Sequence, residues 1–116
     1  MKLVSLLAAV LAVGIFAGVR AAEPEVRIPR SMAGDKGKYY LLEKKSVGAV
    51  LQVVHKRVGV ESIDYSRTEI NCKTRQYREL GYSSESVAAL KAVPGSKWTD
   101  LVSGSSKSDL VAFACK

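Results

Sequence analysis

One histidine and two cysteines are the only imidazole and thiolate ligands in this 116-residue chain, too few for a zinc cluster of its own. The two cysteines are far from the C-x-x-C spacing of a redox pair. No H-E-x-x-H, phosphate-cradling P-loop, dinucleotide fingerprint or G-x-S-x-G elbow occurs. His55 sits among valines, where a half-exposed place on a strand is expected. Glu69 and Glu79 have no carboxylate at a spacing that would make an acid and base pair. Nucleophile, base and orienting group do not converge anywhere, so no catalytic residue, metal or cofactor is expected. Long apolar runs are equally scarce, and after residue 19 none approaches the roughly 20 residues of a membrane span.

The one long apolar stretch opens the chain. Met1-Lys2 supplies a short positive region, Leu3 to Val19 is apolar except for Ser5, Gly14 and Gly18, and Val19-Arg20-Ala21 offers a cleavage pattern. A membrane anchor is the competing reading, but 17 residues that end in small side chains suit a secretory signal better. Residues 1–21 are therefore expected to leave, with no cysteine at the cleavage site to carry a lipid and no span in what remains. The expected location is the periplasm, the cell surface or the extracellular medium.

That location gives the two cysteines their meaning. In an oxidising compartment Cys72 and Cys115 are expected to join, pinning the end of the chain onto its body. A loop of 43 positions corresponds to about 4 kcal/mol of chain entropy removed from the unfolded state. Such a staple matters in a single domain of 95 residues, which buries only about 60–65 % of its unfolded surface. Charge is the other constraint. Lys2 and Arg20 depart with the signal, so 16 of the 18 basic residues face all 11 acidic ones, net +5. An exported basic domain meets anionic polysaccharides, lipids and acidic proteins rather than genomic nucleic acid.

Along the remaining chain, residues 22–37 hold Pro24, Pro29, Gly34 and Gly37 and read as a flexible or loosely docked arm. Lys38 to Val47, Ala49 to Val60, Glu61 to Lys73 and Thr74 to Tyr82 read as strands, rich in valine and tyrosine. In the third, Ile63 and Tyr65 fall on one face but Ile70 and Cys72 on the other. Side chains alternate with period two, so a bulge is expected near Ser66 to Thr68. Ser84 to Lys91 is ambiguous, and Pro94-Gly95 breaks the chain. Ser106 and Asp109 have capping-box spacing, and Leu110, Val111, Ala114 and Cys115 recur on one helical face. The expected fold is α+β, an antiparallel sheet with a C-terminal helix tethered by the disulfide.

The run Asp64-Tyr65-Ser66-Arg67-Thr68-Glu69-Ile70-Asn71-Cys72 resembles the surface-adhesin protein E family of Gram-negative bacteria. Tyr39-Tyr40, the Trp98 segment and the terminal helix ending in Cys115 add to the likeness, which covers about residues 38–116. The resemblance implies an antiparallel sheet with a tethered helix, adhesion to host extracellular-matrix or serum proteins such as vitronectin, and dimer formation. It also points to Lys56-Arg57 as a basic pair near the contact with the partner. From the residues themselves, Lys73, Arg75 and Tyr77 would share a strand face, and with Arg78 and Lys56-Arg57 would make a basic strip for an anionic partner. The plainer alternative packs Tyr77 against the sheet and pairs the arginines with Glu69 or Glu79. Two functions are thus expected to compete: a non-enzymatic, adhesin-like binding protein, or an envelope accessory domain, dimeric through a sheet edge and without a soluble ligand.

Overall fold

A computed structural model describes residues 25–93 and 96–116. The expected export signal and the Pro94-Gly95 break lie outside the described residues. β1 (Val26–Ile28), β2 (Lys38–Val47), β3 (Val50–Val58), β4 (Ile63–Asn71) and β5 (Gln76–Ser83) form an antiparallel meander in chain order. Two short strands share the outer edge of β5: β6 (Lys91–Ala92) beside Gly81 and Tyr82, and β7 (Thr99–Asp100) beside Gln76 and Tyr77. One helix, α1 (Ser106–Ala114), lies across one face. No helix among the described residues is long and apolar enough to cross a membrane.

The strands follow the valine and tyrosine runs because β-branched and aromatic side chains suit a pleated, half-buried surface. β2 and β3 are joined through Gly48-Ala49, with Gly48 at φ +61°. That is the first loop position of a tight hairpin, where the mirror-image turns need positive φ. On the helix side, Val53 and Ile70 are fully buried against Leu110, Val111 and Ala114, with Ile28 closing the edge. Positions i, i+1 and i+4 of α1 supply this contact, as helical spacing requires.

The helix is fastened along its whole length. Its cap is Ser105, whose hydroxyl accepts from Ser108 N–H at 3.1 Å. The expected box is displaced by one residue, and Asp109 does other work: it pairs with Arg30 and accepts from Ser31 N–H at 3.0 Å. Lys107 reaches Glu79 at 2.6 Å, and Lys44 donates to Ala114 O at 3.2 Å. Cys72 and Cys115 are bonded, with Cα atoms 5.7 Å apart.

Two expectations need correction here. The described part of the arm is docked: Val26, Arg27 and Ile28 pair with Leu41, Tyr40 and Tyr39, and Ile28 is buried. Sealing one isoleucine in this way contributes about 2 kcal/mol, and Arg30 fixes the segment to α1. The register does slip opposite Arg67 and Thr68, but the extra residue is Leu80 of β5, while β4 pairs with β3 without interruption. The facing conflict is met instead by leaving Ile63 exposed on the side away from α1.

Candidate functional site

The structure separates the six residues expected to form a basic strip. Side chains alternate along β3, so Lys56 and Arg57 point to opposite faces. Lys56 pairs with Glu25 and lies over the Tyr40 ring. On the helix side, Arg57 donates to Tyr39 Oη at 3.1 Å and pairs with Asp35 at 3.3 Å. The Tyr39 and Gly37 hydrogen bonds hold the Asp35 carboxyl at about 2, and Tyr39 and Asp35 push the Arg57 guanidinium up. Arg78 reaches the buried Glu69 at 2.6 Å and stacks over Trp98 at 4.5 Å from the ring centroid. Burial pushes the Glu69 carboxyl up, but the hydrogen bonds of Gln52 and Arg78 outweigh this and hold it below its usual value. Tyr77 packs against the core cluster beneath Lys107. Lys73 and Arg75 are not on a strand, so no shared face joins them to Tyr77.

Lys73 and Arg75 occupy the turn between β4 and β5, and Asn71 makes that turn. Its side-chain oxygen accepts from Lys73 N–H at 3.0 Å and Thr74 N–H at 3.1 Å, while its carbonyl accepts from Arg75 N–H at 2.8 Å. Arg75 sits at φ +60°, a left-handed conformation that the turn imposes on a bulky residue. Both cationic side chains are thereby exposed. The neighbouring Cys72 holds Cys115, which brings Lys116 to the same end, and Lys44 arrives there through its bond to Ala114 O.

Lys73, Arg75 and Lys116 are thus carried by the two segments that the Cys72–Cys115 bond joins, and Lys44 is tied to the same helix end through Ala114 O. None has a carboxylate partner among the described residues. Lys44 and Lys116 were missed in the sequence, although a signal existed: each cysteine is followed by a lysine, so joining the cysteines also joins Lys73 to Lys116. Such a cluster can attract an extended anion through charge-assisted hydrogen bonds that remain hydrated and salt-sensitive.

His55 is buried, 8 % exposed, and not half-exposed as expected. Burial, reinforced by the Lys107 charge, pushes its imidazole down to about 3, so it is neutral at ordinary pH. Thr68 donates its single hydroxyl proton to Glu79 at 3.2 Å, and His55 Nε2 lies 2.7 Å from the same oxygen. Nε2 must then be the protonated nitrogen and the donor to Thr68, which leaves Nδ1 as an acceptor. The chain from His55 through Thr68 to Glu79 ends on Lys107 at 2.6 Å. This network satisfies polar groups placed between the sheet and α1.

The chain gives no significant match to a protein-family model, to a curated protein or to a solved structure.

Proposed function

We propose that this chain is an exported, non-enzymatic binding domain that uses the stapled end of its sheet to hold an anionic partner at the cell surface or in the periplasm. The observation that carries the reading is that Lys73, Arg75 and Lys116, on the segments joined by the Cys72–Cys115 bond, and Lys44, bonded to Ala114 O, have no carboxylate side-chain partner among the described residues. An anionic polysaccharide is the partner favoured. Its dense, regularly spaced charge suits flexible, hydrated cations, and the contacts require no buried apolar anchor. Resemblance to the surface-adhesin protein E family supports binding as the class of function, and an acidic stretch of a host matrix or serum protein would meet the same four side chains.

An accessory, dimeric envelope domain is the alternative. The unpaired edge of β2 beyond Leu41 is the longest one available for strand addition, and it carries Glu43, Lys44 and Lys45 after a bulge at Leu42. Charge and irregularity at an edge oppose pairing with a second sheet. The test is retention of the oxidised protein on immobilised heparin and on vitronectin across a salt series. Retention that falls with salt, and is lost in Lys73→Glu/Arg75→Glu, supports polyanion binding. Retention on vitronectin alone shifts the partner to protein. No retention on either, with a mass that grows with concentration, favours the dimeric domain.

A further inference from the structure

At the end of α1 remote from the disulfide, a cleft of about 150 Å³ lies between the helix and the sheet. A single water needs on the order of 10–15 Å³ by this measure, so the space takes on the order of ten heavy atoms. Its floor follows from the sequence. Helix-facing positions of β4 run Ile70, Thr68, Ser66, Asp64, and those of β3 run Leu51, Val53, His55, Arg57. Both strands thus turn from apolar to polar away from the stapled end, a departure from core patterning that is expected at functional sites. Two acceptors are left unfilled there. His55, itself buried, turns Nε2 to Thr68, which lies outside the cleft lining, and Nδ1 has no hydrogen-bond partner among the described residues. The one fully enclosed side-chain nitrogen or oxygen without a partner among those residues is Arg30 Nε, so Nδ1 keeps an opening, and the cleft is the space that His55 lines. Asp64 accepts at Oδ1 from Tyr82 Oη at 2.8 Å, and no cation pairs with it among the described residues.

The charges around the cleft oppose ions of either sign. Arg57 is paired with Asp35 at 3.3 Å and Lys107 with Glu79 at 2.6 Å, so these pairs cancel and Asp64 leaves a net charge of −1. An anion of any kind, phosphate included, meets that carboxylate. A cation would sit beside two cationic heads and the positive end of α1, where Ser106 lines the cleft. Burial and then the Lys107 charge already hold the His55 imidazole unprotonated in this place. An uncharged molecule avoids both penalties. It has to donate to Asp64 and Nδ1, accept from the N–H groups that Arg57 and Lys107 have left over, and lay an apolar side on Ile28 and Leu110. Several hydroxyls on a carbon ring meet all three demands, because each hydroxyl both donates and accepts and the ring presents C–H groups.

We propose that this cleft binds a single uncharged sugar ring, of hexose size, whose hydroxyls donate to Asp64 and His55 Nδ1 and accept from Arg57 and Lys107 while its C–H side lies on Ile28 and Leu110. The site is independent of the polyanion reading, because the two lie at opposite ends of the sheet. The experiment is an amide NMR titration of the oxidised protein with glucose, galactose and mannose, and with acetate, inorganic phosphate and methylammonium as ionic controls. The three hexoses differ in the direction of single hydroxyls, so the best of them reports the orientation that the acceptors favour. At least one is expected to shift the amides of His55, Arg57, Ser66, Ser106 and Lys107 in a saturable way, with a Kd of about 1–10 mM, as suits about twelve heavy atoms. Each ion should bind at least about tenfold more weakly. Ser66→Leu should abolish the shifts by filling the cleft and leave heparin retention unchanged. Asp64→Ala, at a half-buried position, should weaken binding about tenfold by removing the charged acceptor. No saturation with any of the three hexoses, binding of an ion as tight as that of the best hexose, or an unchanged Kd in either variant would each overturn the proposal.

Discussion

Within the sheet, Lys56, Arg57 and Arg78 each have a carboxylate within reach, in Glu25, Asp35 and Glu69, and Lys107 of the helix has Glu79. At the stapled end Lys44, Lys73, Arg75 and Lys116 have none among the described residues. The difference follows from geometry. Register places Glu69 opposite Arg78 and between it and Gln52, so a charge on an inner strand acquires cross-strand neighbours. A residue in a turn has none, and the Asn71 turn directs Lys73 and Arg75 into solvent. Lys56, Arg57, Arg78 and Lys107 are thus used for cohesion, whereas Lys73 and Arg75 in the turn have no carboxylate partner among the described residues.

The largest expected effect joins the two regions. Cys72→Ser/Cys115→Ser should lower unfolding stability by about 4 kcal/mol in a urea titration. It should also weaken heparin retention, because the segment that carries Lys116 is no longer tied to the one that carries Lys73. Next comes a change in the body alone. Asp109→Ala leaves the largely buried Arg30 guanidinium with only the more distant Asp35 carboxylate at 3.6 Å, and Nε of that side chain already has no partner. The expected loss is about 3 kcal/mol, with retention unchanged.

Acid should separate the regions as well. The folded His55 lies near 3 and its ordinary value is 6.5, so the unfolded chain binds the extra proton in between. Its stabilising contribution is complete above 6.5 and is lost as pH falls towards 3. By pH 4.5 the loss is on the order of 2 kcal/mol, readable as a fall in Tm of roughly 10 °C. The lowered Asp35, Glu69 and Asp109 carboxyls act further down: their contributions hold above their ordinary values of 3.8 to 4.5 and disappear below. His55→Gln should therefore flatten the Tm profile between pH 6.5 and 4.5 and reduce its slope between 4.5 and 3, where the carboxyls still make it fall.

The smallest effects sharpen the contrast most. Arg78→Glu sets a carboxylate against the buried Glu69 and should cost about 2 kcal/mol. Lys73→Glu and Arg75→Glu should each change stability by less than about 0.5 kcal/mol.

The parts of this arrangement governed by periodicity were legible in the sequence. Lys38 to Val47 forms a strand with the expected bounds, and Leu110, Val111 and Ala114 face the sheet as their spacing requires. The Cys72–Cys115 bond followed from having two cysteines and an export-like leader. What was missed depends on tertiary context. Val26 to Ile28 is too short to show a pattern between prolines, and only the free edge of β2 makes it a strand. Thr74 to Tyr82 looked continuous because the Asn71 side chain, not any gap in β propensity, sets where β5 begins. His55 looked half-exposed among its valines because its partner Thr68 lies 13 positions away. The candidate site suffered most, since alternation placed Lys73, Arg75 and Tyr77 on a face that the turn dissolves.

The most direct measurement compares salt-dependent heparin retention of the oxidised protein with that of two charge-reversed variants, Lys73→Glu/Arg75→Glu and Lys56→Glu/Arg78→Glu. Each is checked for native amide dispersion. Loss of retention in the first, with native-like retention per folded molecule in the second, is the expected result. Equal loss in both, or loss only in the second, would contradict a binding role for the stapled end.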